Sequence, residues 1–175
     1  MAEGSPREAA RSACRHCVSR PEGAPSALLL WHTARMDDFA WWSPLVAALV
    51  AFFVNFAWFN GKTFYPAWMR ALGRSPEDPP TGSVSMGAAF GGVVVSLLVQ
   101  AYGLALVIAL REDSGTHVGP IRGLIIGAVV GLVFAAMPSL GHRLFSQQGF
   151  KVWLIECGAD IVGLAVMGLI IGLWH

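Results

Sequence analysis

The residues best placed for chemistry are two acids inside an otherwise apolar ending. In KVWLIECGADIVGLAVMGLIIGLWH, residues 151 to 175, Glu156 and Asp160 stand four apart and so share one face of a helix. A charge at the centre of a membrane helix costs about 2.5–3.5 kcal/mol on insertion scales, so each acid calls for a basic partner, a proton or a wet cavity. Such a pair can exchange protons as a cation or solute binds. With His142 close in sequence, either acid could also form an acid–base pair acting on a lipid.

The spacing sorts these residues by depth. At 1.5 Å per residue, Glu156 lies about 6 Å and Asp160 about 12 Å beyond Val152, where the last span begins. The first span runs the opposite way and ends on that side, which sets Asn55 about 7 Å below Asn60 and level with the acids. Lys62, Arg143, His142 and Lys151 border the same mouth. One end of the bundle is therefore expected to collect Asn55, Asn60, Lys62, His142, Arg143, Glu156 and Asp160. Glu156 is shallow enough for Arg143 or Lys62 to reach it. Asp160 is deeper, opposite the level of Gly131, and is expected to face a polar pocket between helices. Gln100 and Tyr102 fall towards the other end, as helix-to-helix hydrogen bonders.

The elements that must position these groups are membrane helices. Of 175 residues 55% are hydrophobic and only 13% charged, against about 25% charged in soluble domains. Four apolar blocks near 39–60, 84–110, 121–141 and 152–174 each approach the roughly 20 residues a spanning helix needs. The reading is an all-α integral membrane protein with four transmembrane helices over residues 36–175. A net charge of +1 without a basic patch excludes nucleic acid as a partner class.

Between the first two spans lies NGKTFYPAWMRALGRSPEDPPTG, Asn60 to Gly82. Pro66 suits a first helical turn and Gly73 a helix end, with Tyr65, Trp68, Met69 and Arg70 between them. This predicts a short interfacial helix with its aromatic rings at headgroup level, an anchor or a lid. The third span carries Gly119, Gly123, Gly127 and Gly131, and the second Gly87 and Gly91, faces expected to pack helix backbones closely. Pro138 is expected to kink or end the third helix.

Residues 1–35, rich in Arg, Pro, Ser and Gly, read as a disordered tail, and Met36 is a possible translation start. Cys14, His16 and Cys17 there are a weak zinc pattern without a second pair, so no metal and no cofactor is expected. Lys62, Arg70, Arg74, Arg143 and Lys151 in loops one and three outnumber Arg111 and Arg122 in loop two. If translation starts at Met36, loops one and three are cytoplasmic. The five tail arginines, if present, turn the tally to seven against five.

Three stretches in order carry a resemblance: NFAWFNGKTFYPAWMRALG (55–73), PSLGHRLFSQQGFKVWLIECGADIVGL (138–164) and MGLIIGLW (167–174). Together they resemble the bacterial membrane family called domain of unknown function 1761, over nearly everything after Met36. The resemblance implies a small multi-pass protein of the bacterial inner membrane and brings no established activity and no catalytic residues. Where the family often has an amide and a histidine in the last helix, this chain has Glu156 and Asp160.

Three functions compete. A transporter or permeation protein with an intramembrane acidic site for an unidentified small molecule or ion leads. A structural or accessory subunit in a homo- or hetero-oligomer follows from the glycine faces. A membrane enzyme acting on a lipid comes third, because the chain has no nucleophile elbow, paired metal motif or phosphate loop, and no enzymatic activity is expected.

Overall fold

The computed structural model describes residues 40–78 and 84–174, and these form helices and turns. The expectations for residues 1–35, for Met36 and for the CRHC cysteines lie outside the described residues. The elements are α1 (Ser43–Trp58), α2 (Tyr65–Ala71), α3 (Met86–Asp113), α4 (Pro120–Val130), a π-helical stretch (Gly131–Ala136), α5 (Met137–Phe145) and α6 (Phe150–Ile171).

Among the described residues, three helices are long and apolar enough to cross a membrane: Met86–Asp113, Pro120–Phe145 and Phe150–Ile171. The expectation of four spans is corrected at its first member. With 16 residues, α1 rises about 24 Å, short of a hydrocarbon core of about 30 Å. It stops at Trp58 because the chain turns there. The Thr63 hydroxyl lies 2.7 and 2.6 Å from the carbonyl oxygens of Ala57 and Trp58 and offers its one proton to the acceptors that a helix end leaves open. Gly73, at φ 73°, closes α2 in the left-handed conformation glycine tolerates, and Arg74 N–H bonds back to the Met69 carbonyl at 3.0 Å.

The long helices, with α4, the π stretch and α5 counted as one, run antiparallel in chain order around α6, which touches every other element. Against α1 its register is marked by Trp42 beside Trp174, Asn55 beside Gly163 and Trp58 beside Gly158. Against α4 the spacing is set by glycine. A Cβ at Gly123 would overlap the Gly168 carbonyl oxygen, and a Cβ at Gly168 would overlap that of Gly123. Gly127 meets Leu164 and Gly131 meets Ile161 in the same way, while a Cβ on Gly172 would stand 3.0 Å from the Gly119 carbonyl oxygen. Backbones this close gain dispersion and Cα–H···O contacts where lipid provides no hydrophobic drive.

Gly87 and Gly91 do not share that role. Both are exposed, with nothing within 4 Å of where a Cβ would stand. The reason lies in the length of α3: its 28 residues rise about 42 Å, and only Leu97, Ala101, Leu104, Ala105 and Ile108 are buried. Each residue from Met86 to Ser96 is exposed.

Pro138 does not end the third helix, which continues to Phe145. The hydrogen-bond ladder widens just before it, with Met137 N–H bonding to the Leu132 carbonyl five residues back. A proline lacks the N–H and crowds the carbonyl four residues earlier, and the wide π turn absorbs that mismatch. The Ala136 carbonyl then accepts from Trp153 Nε1 at 3.0 Å, within a small core of Ala136, Trp153 and Cys157. At the opposite end, Glu112 Oε1 accepts from Val118 N–H at 3.1 Å and closes loop two.

Candidate functional site

Asp160, Gly163 and Met167 lie on one face of α6, three and four residues apart. That face meets Asn55 on α1 and Val93, Ser96, Leu97 and Gln100 on α3, and the eight residues line a cavity of about 170 Å³. Asp160 is the only charged residue among them. Asn55 Nδ2 donates to the Ala51 carbonyl at 3.1 Å, and Gln100 Nε2 donates to Ser96 Oγ at 2.8 Å. Because a carbonyl oxygen only accepts, the Asn55 amide is oriented with its N–H towards its own helix.

Glu156, one turn nearer the loop-one end, has a different environment. Arg143 Nε stands 2.8 Å from Oε2, and Trp68 Nε1 donates to Oε1 at 3.0 Å. Arg143 also donates to Gln148 Oε1. A carboxylate held by a guanidinium and an indole N–H has its charge balanced and its lone pairs used. Of the two bases that could reach it, Arg143 makes the pair and Lys62 stays exposed.

Aromatic rings lie between the cavity and loop one. Trp58 is one turn beyond Asn55 on α1; its Nε1 donates to the Ile155 carbonyl at 3.1 Å, and its ring lies on Gly158, where a Cβ would come within 2.9 Å. Phe64 stacks on Trp58 at 4.4 Å, and Trp68 meets Phe59 edge-on at 5.8 Å. In α2, Met69 is buried, Tyr65 leans on Trp68 at 6.1 Å, and Arg70 is exposed with Nε donating to the Pro66 carbonyl.

The single cluster expected from spacing is therefore two. Arg143, Glu156 and Trp68 form one, and Asp160 with Asn55 forms the other. Asn60, Lys62 and His142 join neither. Asn60 Oδ1 accepts from the Lys62 backbone N–H at 3.1 Å, and the side chains of Lys62 and His142 are exposed. Gln100 is corrected in the other direction. It lines the acid's cavity because α3 overshoots the bundle and slides its middle to the level of Asp160. Val93, Ser96, Leu97, Gly163 and Met167 carry no such signal in the sequence, except that Ser96 and Gln100, four apart in an apolar helix, form a polar stripe.

Among the described residues, no group of three or more His, Cys, Asp and Glu side chains could hold a metal. Residues 42–172 match the family described as Protein of unknown function (DUF1761). The chain belongs to the DUF1761 family. No curated protein and no solved structure matches it. In this DUF1761 protein the family match begins at α1 and takes in both polar clusters.

Proposed function

We propose that this DUF1761 protein is a small transporter or permeation protein whose solute occupies the Asp160 cavity. The observation that carries the reading is a carboxylate that is, among the described residues, the one charged group lining a polar cavity between three helices, while the nearby Arg143 is committed to Glu156. An acid inside a membrane protein with no basic partner marks a solute or ion path. The Trp68–Glu156 bond supports a role for α2 as a cover at that end. The reading includes the bacterial inner membrane as its place, with loops one and three cytoplasmic if translation starts at Met36.

The test is flux. Purified protein in vesicles loaded with a pH-sensitive dye is challenged with a panel of small cations and neutral solutes. A solute-dependent signal in wild type, lost in Asp160→Asn, supports transport; unaltered flux in the variant overturns it.

One observation favours the second reading, an accessory or structural subunit. The exposed N-terminal half of α3 offers Gly87 and Gly91 to a second helix, in this chain or another. Enzymatic activity is the weakest of the three, since the exposed His142 side chain bonds to neither acid among the described residues.

A further inference from the structure

We propose that the Asp160 cavity binds a small primary alkylammonium ion, its –NH₃⁺ group shared among Asp160, Asn55 and Gln100 and its alkyl chain against Val93, Leu97 and Met167. The assignment deepens the transport reading and rests on its placing of the site at Asp160.

Charge decides the sign and size of the ligand. The lining holds one carboxylate and no base, so a single positive charge neutralises it. A divalent metal such as Ca²⁺ takes about 6–8 oxygen ligands, with carboxylates prominent among them, and this lining has one carboxylate, two amides and one hydroxyl. An anion would meet an uncompensated negative charge.

Hydrogen-bond direction narrows it further. Asn55 turns an N–H to the Ala51 carbonyl and Gln100 turns one to Ser96 Oγ, so these bonds use neither amide oxygen, and both side chains line the cavity with the carboxylate. Three acceptors come from three helices: Asn55 on α1, Gln100 on α3 and Asp160 on α6. A primary ammonium carries three N–H donors and no acceptor. Each donor has a partner, and each bond to the acid is strengthened by charge.

Volume and the remaining lining supply the organic part. About 170 Å³ exceeds the share of a single water in the liquid, about 30 Å³, so the half-open pocket has room for a ligand of several heavy atoms. A bare monovalent ion would leave the apolar part of the lining to water, whereas propylammonium sets its chain against Val93, Leu97 and Met167.

The experiment is thermal unfolding of the purified full chain in mild detergent with propylammonium chloride, tetramethylammonium chloride or sodium chloride at matched ionic strength. Propylammonium is expected to raise the melting temperature with concentration, as a ligand of the folded state does. Tetramethylammonium, which has no N–H, and sodium are expected to give no such rise. Asp160→Asn should abolish the shift, and Gln100→Met, which keeps the charge, should weaken apparent affinity by about tenfold, one hydrogen bond's worth. An equal shift with sodium or tetramethylammonium, or an undiminished propylammonium shift in Asp160→Asn, overturns the assignment. Absence of any shift with propylammonium overturns it too. Sodium flux that needs Asp160 would leave the transport reading standing while the ammonium assignment falls. Propylammonium binding without flux would do the reverse.

Discussion

Arg143 Nε stands 2.8 Å from Glu156 Oε2, tying the end of α5 to the second turn of α6. The two side chains are 34% and 20% exposed, so the pair lies between a screened surface bridge and a buried one. Arg143→Met leaves the acid uncompensated and is expected to cost about 1–3 kcal/mol, between the ranges for exposed and buried pairs. Arg143→Met combined with Glu156→Gln should recover part of that loss. A double-mutant cycle by denaturant or thermal unfolding measures the coupling, and purely additive effects would show that the pair does not stabilise the fold.

Trp68 Nε1 is the side-chain bond from α2 to the Glu156 carboxylate, at 3.0 Å. Trp68→Phe keeps most of the ring packing and deletes the donor. It should cost about 1.5–3 kcal/mol, the range for a hydrogen bond to a charged group. The loss should concentrate in α2, read as faster amide hydrogen exchange over residues 64–74 with little change in α6.

Glycines at two places should respond oppositely to the same substitution. Gly127→Ala drives a Cβ into the Leu164 carbonyl oxygen, so α4 and α6 must separate, at about 1–3 kcal/mol for an overpacked contact. Gly91→Ala has open space, and the better helix propensity of alanine is expected to leave stability unchanged or raised by up to about 1 kcal/mol. Melting temperatures of the two variants side by side decide it. A cost at Gly91 like that at Gly127 would instead mean that a partner chain covers that face.

Asp160 has no ion pair within 4 Å among the described residues, in contrast to Glu156. Asp160→Asn keeps the shape and removes the charge. Without added ligand, the variant is expected to be as stable as wild type or more stable by up to about 2 kcal/mol, as is common when a functional group held at a cost is replaced. A marked loss of stability would make the acid a structural one.

Much of this was legible in the chain. Apolar blocks of about 20 residues satisfy their backbone in a membrane as helices, so three spans near 84–110, 121–141 and 152–174 were legible from composition and length, and the structure gives them as 86–113, 120–145 and 150–171. The glycines every fourth residue from 119 to 131 marked a close backbone contact, because a helix repeats its face at that spacing. The positions of Glu156 and Asp160, one turn apart and within the last span, follow from counting alone.

What counting could not reach is how far one helix slides along another. The short α1 depended on where Thr63 folds back onto Ala57 and Trp58, a contact made only after the turn has formed. The place of Gln100 depended on the overshoot of α3, which is set by packing at Leu97 to Ile108 and not by the ends of an apolar block. Gly87 and Gly91 show the same limit, since a small residue creates room for a neighbour without stating that one is there. The sequence by itself determined the helices, their order and the two acids on one face. Only the tertiary structure decided that Glu156 meets Arg143 and Trp68 while Asp160 shares a cavity with Asn55 and Gln100, because side-chain neighbours follow from the register between helices, and that register is the sum of many weak contacts spread along α6.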